Sequence, residues 1–495
     1  MNDSMTEPAR YVTPQDRTGL TPVYAVWEIT LACDLKCQHC GSRAGKRRPG
    51  ELSTEECLDL VRQMARLGTR EVTLIGGEAY LRRDWLQIIR EIRDQGMICT
   101  LQTGGLHLTE ERVRQAADAG LQAAGVSIDG LRDLHDNLRG VRGSYDAAFA
   151  ALRNLKKYNL QSSVNTQIGA EVMPQMRELM HLFIEAGARN WQLQLTVAMG
   201  RAADRPELLL QPYEMLELMP LIAELYDEGL EHDFLVQPGN NIGYFGPYEA
   251  VWRGKGDDSV HWVSCNAGQN TLGIEADGTI KGCPSLPTSP YAGGNIRDLT
   301  LEDLWQTPEL SFTRTRTRND LWGFCGTCYY ADVCRAGCTW TTHVLFGRAG
   351  NNPFCHHRAL ELEKRGLRER IVQTAPAPGL PFDHGSFELL VEKSDGRPLS
   401  SAPEAGQSAT PLATSSLVQI KSARKRAHAT DTASPVYQEM PYLVVCRGCN
   451  RHVMPTTETC PHCDGDIKTF ERAYQKRLRA ARVAYRELLQ HFPQM

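Results

Sequence analysis

Sixteen cysteines in 495 residues, gathered into three groups, constrain this chain more than any other feature. Cys33, Cys37 and Cys40 lie near the front. Cys265, Cys283, Cys325, Cys328, Cys334, Cys338 and Cys355 lie past the middle, and Cys446, Cys449, Cys460 and Cys463 near the end. Only Cys57, on the apolar stripe of a helix, and Cys99, within a strand, stand apart, and both read as buried core thiols. Disulfide-rich scaffolds are short and secreted. This chain is long, and its start (MNDSMTEPARYVTPQDRTG) lacks the basic-then-apolar profile of a secretory signal. No apolar run approaches ~20 residues, so no membrane helix is expected. The expectation is a cytoplasmic protein, where clustered thiols read first as metal ligands. Its net charge of −4, from 55 Lys+Arg against 59 Asp+Glu, gives no global attraction to a polyanion, and nucleic acid is not an expected partner.

Behind a tail (1–22), residues 23–236 alternate strand and helix signals. VYAVWEIT (23–30), VTLI (72–75), MICTLQ (97–102), AAGVSI (123–128), SSVNTQI (162–168) and WQLQLT (191–196) read as six strands. Between them, stripes such as Cys57, Leu60, Val61 and Met64, opened by a Ser53–Glu56 capping box, read as helices. Six β-then-α units predict an α/β fold: a parallel sheet with helices outside, short of the eight units of a closed barrel and so a partial (β/α)6 barrel. Chemistry in such folds sits at the C-terminal strand ends. Residues 237–260 (QPGNNIGYFGPYEA and beyond) read as a linker or bridging loop. Residues 261–360 form a loop-rich, cysteine-bearing domain whose missing core bound metal would replace. Residues 361–440, rich in Ala, Pro, Ser and Thr with a basic clump at 421–426, read as a mostly disordered tether. A small cysteine module (441–469) and a basic terminal helix (470–495) complete the chain.

Cys33-x3-Cys37-x2-Cys40 directly follows the first strand. Three thiolates on one tight loop suit three corners of a [4Fe–4S] cubane, which normally takes four cysteines, so one iron would stay open. A zinc loop completed by His39 is the alternative, though three cysteines make a poor closed zinc site. The spacing at a strand end resembles the radical SAM superfamily. That resemblance implies S-adenosylmethionine on the open iron and a 5′-deoxyadenosyl radical that abstracts hydrogen. It places His39 where the family usually has an aromatic against the adenine. Gly76-Gly77-Glu78 resembles the family motif whose backbone receives the methionine amino group, with Ala79 in place of the usual proline. Ser127-Ile128-Asp129-Gly130, followed by His135-Asp136-x2-Arg139-Gly140-x2-Gly143-Ser144, resembles a further family pattern. It makes Ser127 and Arg139 candidates to hold the SAM ribose or carboxylate. A capped helix start at Ser144 beside a salt-bridged arginine is the plainer alternative. No residue is singled out as catalytic. Asn165 and Gln167 share one strand face, as do Gln192 and Gln194, and could line a polar lumen.

The middle group, together with Gly278, resembles the SPASM domain. The resemblance implies two auxiliary [4Fe–4S] clusters. Cys325, Cys328, Cys334 and Cys355 would hold the outer one. Cys265, Cys283 and Cys338 would hold the inner one, whose fourth ligand stays open. Cys446-x2-Cys449-x10-Cys460-x2-Cys463 is two knuckles of one S4 site, resembling a zinc ribbon, with zinc the expected occupant. The expected function is therefore a radical SAM/SPASM enzyme that modifies a peptide or protein, as maturases of ribosomally made peptides do, with a flavodoxin- or ferredoxin-type electron donor. Sulfatase maturation is disfavoured by Pro284, where that group carries an aspartate. The alternatives are an enzyme acting on a cofactor precursor such as a tetrapyrrole, and an iron–sulfur sensor whose ribbon binds nucleic acid.

Overall fold

The computed structural model of the protein describes residues 9–254, 257–399 and 442–491. Strands β1 (Tyr24–Thr30), β2 (Glu71–Gly76), β3 (Ile98–Thr103), β4 (Ala123–Ser127), β5 (Gln161–Ile168) and β6 (Asn190–Leu195) are the six expected from periodicity. They run in sequence order, each parallel to the next. A seventh, β7 (Leu235–Pro238), pairs in parallel with β6. On the other side, β8 (Thr271–Ile274) adds in parallel to β1, and β9 (Thr279–Lys281) and β10 (Ala292–Asn295) follow antiparallel. One ten-stranded sheet thus joins the partial barrel to the cysteine-rich region.

The local rules are plain. Ser53 accepts from the Glu56 amide and Glu56 from the Ser53 amide, closing the capping box of helix Thr54–Arg66. That helix buries Cys57, Leu60, Val61 and Met64 against the sheet. Helix Met176–Glu185 likewise buries Met176, Leu179, Met180 and Phe183, and Phe183 meets Trp191 edge-on with ring centroids 5.3 Å apart. The core lies between the helices and the outward faces of the strands; Cys57 and Cys99 are both fully buried in it.

Two segments depart from expectation. Residues 237–260, expected as a linker or bridging loop, are packed and not a free linker: β7 occupies their start, and Asn241, Ile242, Tyr244 and Phe245 are buried. The Gly/Asn/Pro content masks two aromatic anchors, and the buried Glu249 carboxylate accepts the amides of Phe245 and Trp262 at 2.9 and 2.8 Å. Nor is the stretch from 361 a tether throughout. Helix His356–Glu363 crosses its start, and β11 (Leu367–Ala375) pairs antiparallel with β12 (Ser386–Lys393) as a hairpin. Alternation in LRERIVQTA and SFELLVEK outweighs the Ala/Pro-rich turn between them. The serine- and threonine-rich stretch and the basic clump 421–426 lie outside the described residues. At the end, β13 (Val444–Val445) and β14 (His452–Val453) precede helix Ile467–His491. No helix among the described residues is long and apolar enough to cross a membrane.

Candidate functional site

The C-terminal end of β1 leads straight into the first cysteine loop. Cys37 is buried, and Cys33 and Cys40 are half-buried. The end of β2 is laid against this loop: Gly77 donates its amide to Thr30 at 2.7 Å, and Glu78 to Ala32 at 2.7 Å. A Cβ on either glycine would collide with the carbonyl oxygens of Thr30 or Ala32. Gly76 also has φ +143°, a conformation that needs glycine. The glycines therefore shape the loop itself, beside any ligand they receive. The Glu78 carboxyl is buried and accepts from the Thr103 hydroxyl at 2.5 Å and the Gly104 amide at 2.6 Å. Its carboxylate, that of Asp34 and the Cys33 sulfur lie within 4.8 Å of one another.

The pattern after β4 forms a buried polar knot. Asp129 is fully buried and accepts the Gln167 amide at 2.8 Å; His39 Nε2 stands 3.0 Å from it, and Arg139 pairs with it. Burial pushes the Asp129 carboxyl up, but Arg139 and His39 outweigh burial and hold it well below the carboxylate range. Arg139 also approaches the Cys37 sulfur at 3.7 Å. Asp136 accepts from the Gly143 and Tyr145 amides and the Ser144 hydroxyl at 2.6–2.9 Å, which caps helix Ser144–Lys157. So in this stretch the capped helix and the paired arginine are both present. Ser127 ends β4, in register with Asn165. A small cavity opens here, lined by His39, Leu138, Gln167, Val172, Thr196 and Leu208 among others. It offers an imidazole, apolar walls and amide or hydroxyl groups at the C-terminal ends of β5 and β6.

The amide faces align. Asn165 is in register with Gln192, Gln167 with Gln194, and Gln192 with Gln237. These side chains are half-buried or exposed, while Val164, Thr166, Ile168, Trp191, Leu193 and Leu195 alternate with them and are buried.

The seven middle cysteines sort into two sets. Cys325, Cys328, Cys334 and Cys355 line one cavity with Tyr330 and His357. Cys283 and Cys338 both lie within electrostatic reach of Cys265. Burial pushes the Cys283 thiol up to about 11 and those of Cys328 and Cys338 up to about 12. Grouped thiols in that condition become thiolates only with a compensating cation, which is what an iron–sulfur core supplies. Single-ion spacing is a different matter. Among the described cysteines only Cys446, Cys449, Cys460 and Cys463 bring all their sulfurs within 4.8 Å of one another, as one tetrahedral ion requires. The sulfurs of the front and middle sets do not all lie within that distance of one another. Thiol donors of this kind suit iron–sulfur clusters at the front and middle sets and one S4 ion at the last.

What sequence reasoning missed is the seam between the S4 module and the middle domain. Tyr330, two residues after Cys328, bonds the module at His452 and His462. Tyr329 bonds it at Met454 and Thr457. The adjacent Tyr329-Tyr330 and His356-His357 pairs directly after Cys328 and Cys355 were the available signal.

Comparison with known proteins agrees with this geometry. Residues 27–183 match the radical SAM superfamily model, and residues 265–329 match SPASM, an iron-sulfur cluster-binding domain. The AdoMet-dependent heme synthase of Methanosarcina barkeri is 29% identical over 362 residues, covering 68% of this chain and 97% of that protein. Mycofactocin maturase MftC of Mycobacterium tuberculosis is 28% identical over 341 residues, covering 68% and 83%. Among solved structures, anSMEcpe with bound AdoMet superposes with a TM-score of 0.54 at 16% identity, covering 69% of this chain and 95% of that one. Streptococcus suis SuiB bound to S-adenosylmethionine gives 0.52 at 17%, covering 64% and 73%. The chain thus carries a radical SAM domain followed by a SPASM iron–sulfur cluster-binding domain, and it is an enzyme of that architecture.

Proposed function

We propose that this enzyme modifies a peptide or protein substrate held in the barrel lumen between the front cysteine loop and the inner cysteine set. When bound, the front cluster and S-adenosylmethionine would supply reductive C–S cleavage and a hydrogen-abstracting radical. On this reading Cys33, Cys37 and Cys40 hold that cluster. Gly76, Gly77 and Glu78 set the edge of the methionine site, and Ser127 and the cavity beside His39 face the nucleoside. Arg139 keeps Asp129 ionised and so fixes His39. Cys265, Cys283 and Cys338, with Cys325, Cys328, Cys334 and Cys355, hold two auxiliary clusters, and the last four cysteines hold zinc. A flavodoxin- or ferredoxin-type protein would deliver the electron.

The observation that carries the peptide reading is the amide ladder Asn165–Gln192–Gln237 and Gln167–Gln194. Neutral amides offer a donor and an acceptor at each step, which matches a peptide backbone. A cofactor precursor with several carboxylates would instead call for guanidinium or ammonium groups. A second reading, action on such a precursor, is favoured by the heme synthase of Methanosarcina barkeri, nearly all of whose length this chain spans.

The test is anaerobic turnover after reconstitution, which should load about twelve irons and one zinc per chain. Dithionite should drive 5′-deoxyadenosine formation, and Cys37→Ala should abolish it. Turnover should then be followed by mass spectrometry on a candidate precursor peptide and on an iron tetrapyrrole. A mass change on the tetrapyrrole alone would overturn the peptide reading.

A further inference from the structure

The outer cysteine cavity and the S4 module share a wall. Tyr330 lines the cavity, and its hydroxyl donates to the His452 carbonyl at 2.6 Å and meets His462 Nε2 at 2.8 Å. His462 sits inside the second knuckle, between Cys460 and Cys463. His357 lines the same cavity two residues after Cys355, and its Nδ1 is met by the guanidinium of Arg451, which the module contributes. Arg451 is 3% exposed and bonds Glu361 at 2.9 Å, while its buried Nε has no partner among the described residues. Lys364 donates to the His462 carbonyl at 2.7 Å. Phe245 stacks on Tyr330 at 4.1 Å between centroids, and Leu443, fully buried, joins the same apolar cluster. This is an interior seam, sealed on both sides of one cavity wall.

We propose that the S4 module is the lid of the outer auxiliary cluster, and that Arg451 and Tyr330 are positioning residues through which it sets that cluster's potential and retention. The inference rests on the reading above that Cys325, Cys328, Cys334 and Cys355 hold a [4Fe–4S] cluster. Potentials of such clusters follow net charge, hydrogen bonding and solvent exposure. An added electron makes the cluster more negative. A buried guanidinium one imidazole away stabilises that reduced form and raises the potential. Arg358, the other buried arginine here, is already neutralised by Glu369 through bonds of 2.6 and 2.7 Å. Among the described residues Arg451 has only Glu361 as a carboxylate partner, and that side chain is 28% exposed, so its charge is the less cancelled of the two. The S4 ion folds the knuckle that carries His462 and thereby holds the lid shut.

The full chain, reconstituted anaerobically, tests this by iron and zinc analysis, EPR-monitored redox titration and the rate of iron loss to a chelator. Arg451→Gln should keep its zinc and all its iron yet move one auxiliary signal to more negative potential, and Arg451→Lys should move it back toward wild type. Tyr330→Phe removes one hydroxyl and should speed chelator bleaching of that same cluster several-fold, leaving the front cluster's rate unchanged. Should Arg451→Gln lose its clusters outright, Tyr330→Phe carries the test. An unshifted potential in a fully loaded Arg451→Gln, or unaltered bleaching in Tyr330→Phe, overturns the lid. A wild-type protein lacking the outer cluster's share, roughly four of about twelve irons, would instead sink the cluster reading beneath it.

Discussion

One guanidinium, that of Arg139, holds both a buried carboxylate and a thiol of the front loop. Replacing it with glutamine would leave Asp129, fully buried, with only His39 and the Gln167 amide as partners and no permanent countercharge. Breaking one side of a buried pair costs about 3–5 kcal/mol. Arg139→Gln should therefore lower the denaturation midpoint of the anaerobic protein and suppress 5′-deoxyadenosine formation. Arg139→Lys should restore neither fully, because a single ammonium lacks the fork that spans two acceptors. Wild-type behaviour of the lysine variant in both assays would make the fork irrelevant. Gly77 is a second such residue. Any side chain there meets the Ala32 carbonyl on the approach to Cys33, so Gly77→Ala should displace the loop and lose the front cluster, about four irons, with the auxiliary iron retained. Iron analysis with EPR checks it. Both residues were visible in the sequence, but their partners were not. Asp129 and Arg139 follow β4 while Cys37 and His39 share the front loop, and only the fold brings the two segments together.

At the scale of elements, what was legible followed from period. The helices and strands β5 and β6 bury one face each, which imposes a repeat of 3.6 or two residues, while β1 to β4, buried on both faces, read as short β-rich runs. The hairpin β11–β12 was lost because APAPG in its turn was read as the composition of a tether. Its tip is in fact strapped to the front loop. Asp383 bonds Arg43 at 2.8 Å and the amides of Gly379 and Leu380 at 2.5 and 2.8 Å. The Asp383 carbonyl accepts the Gly200 amide at 2.8 Å, and Phe382 donates its amide to Gly41 at 3.2 Å. Gly41 and Arg43 lie just past Cys40, so the tip shields that side of the loop. Asp383→Ala should loosen it and accelerate loss of the front cluster's EPR signal in air several-fold, while auxiliary signals decay at the wild-type rate. Equal acceleration of all signals would point to general destabilisation and not to the strap.

Across the whole molecule, the barrel and the SPASM domain share a sheet, and the join between β1, β8 and β9 buries charges that no local reading exposes. Glu28, on β1, faces Glu275, Lys281 and Arg48, and accepts the Ala276 amide at 3.4 Å. Lys281, 1% exposed, reaches Glu275 at 2.9 Å and the Leu286 carbonyl at 2.6 Å; Arg48 also pairs with Glu275, and with Asp277 at 3.3 Å. Two cations thus serve three carboxylates. Burial, then the charge of Glu275, pushes the Glu28 carboxyl up to about 8, from an ordinary value of 4.5, against the pull of Lys281 and Arg48. The sign follows from proton binding. The folded protein holds the Glu28 proton more tightly than the unfolded chain does. The stability this confers is complete below pH 4.5 and is lost as pH rises through about 8. Glu28→Gln keeps the shape and removes the titration. Thermal midpoints of the anaerobic protein, taken from pH 5.5 to 8.5, should fall less steeply in the variant than in wild type. The variant should gain most at the alkaline end, where wild type is forced to ionise a third carboxylate at the join. Parallel profiles would mean that Glu28 is already ionised at pH 5.5 and that Lys281 and Arg48 outweigh its burial.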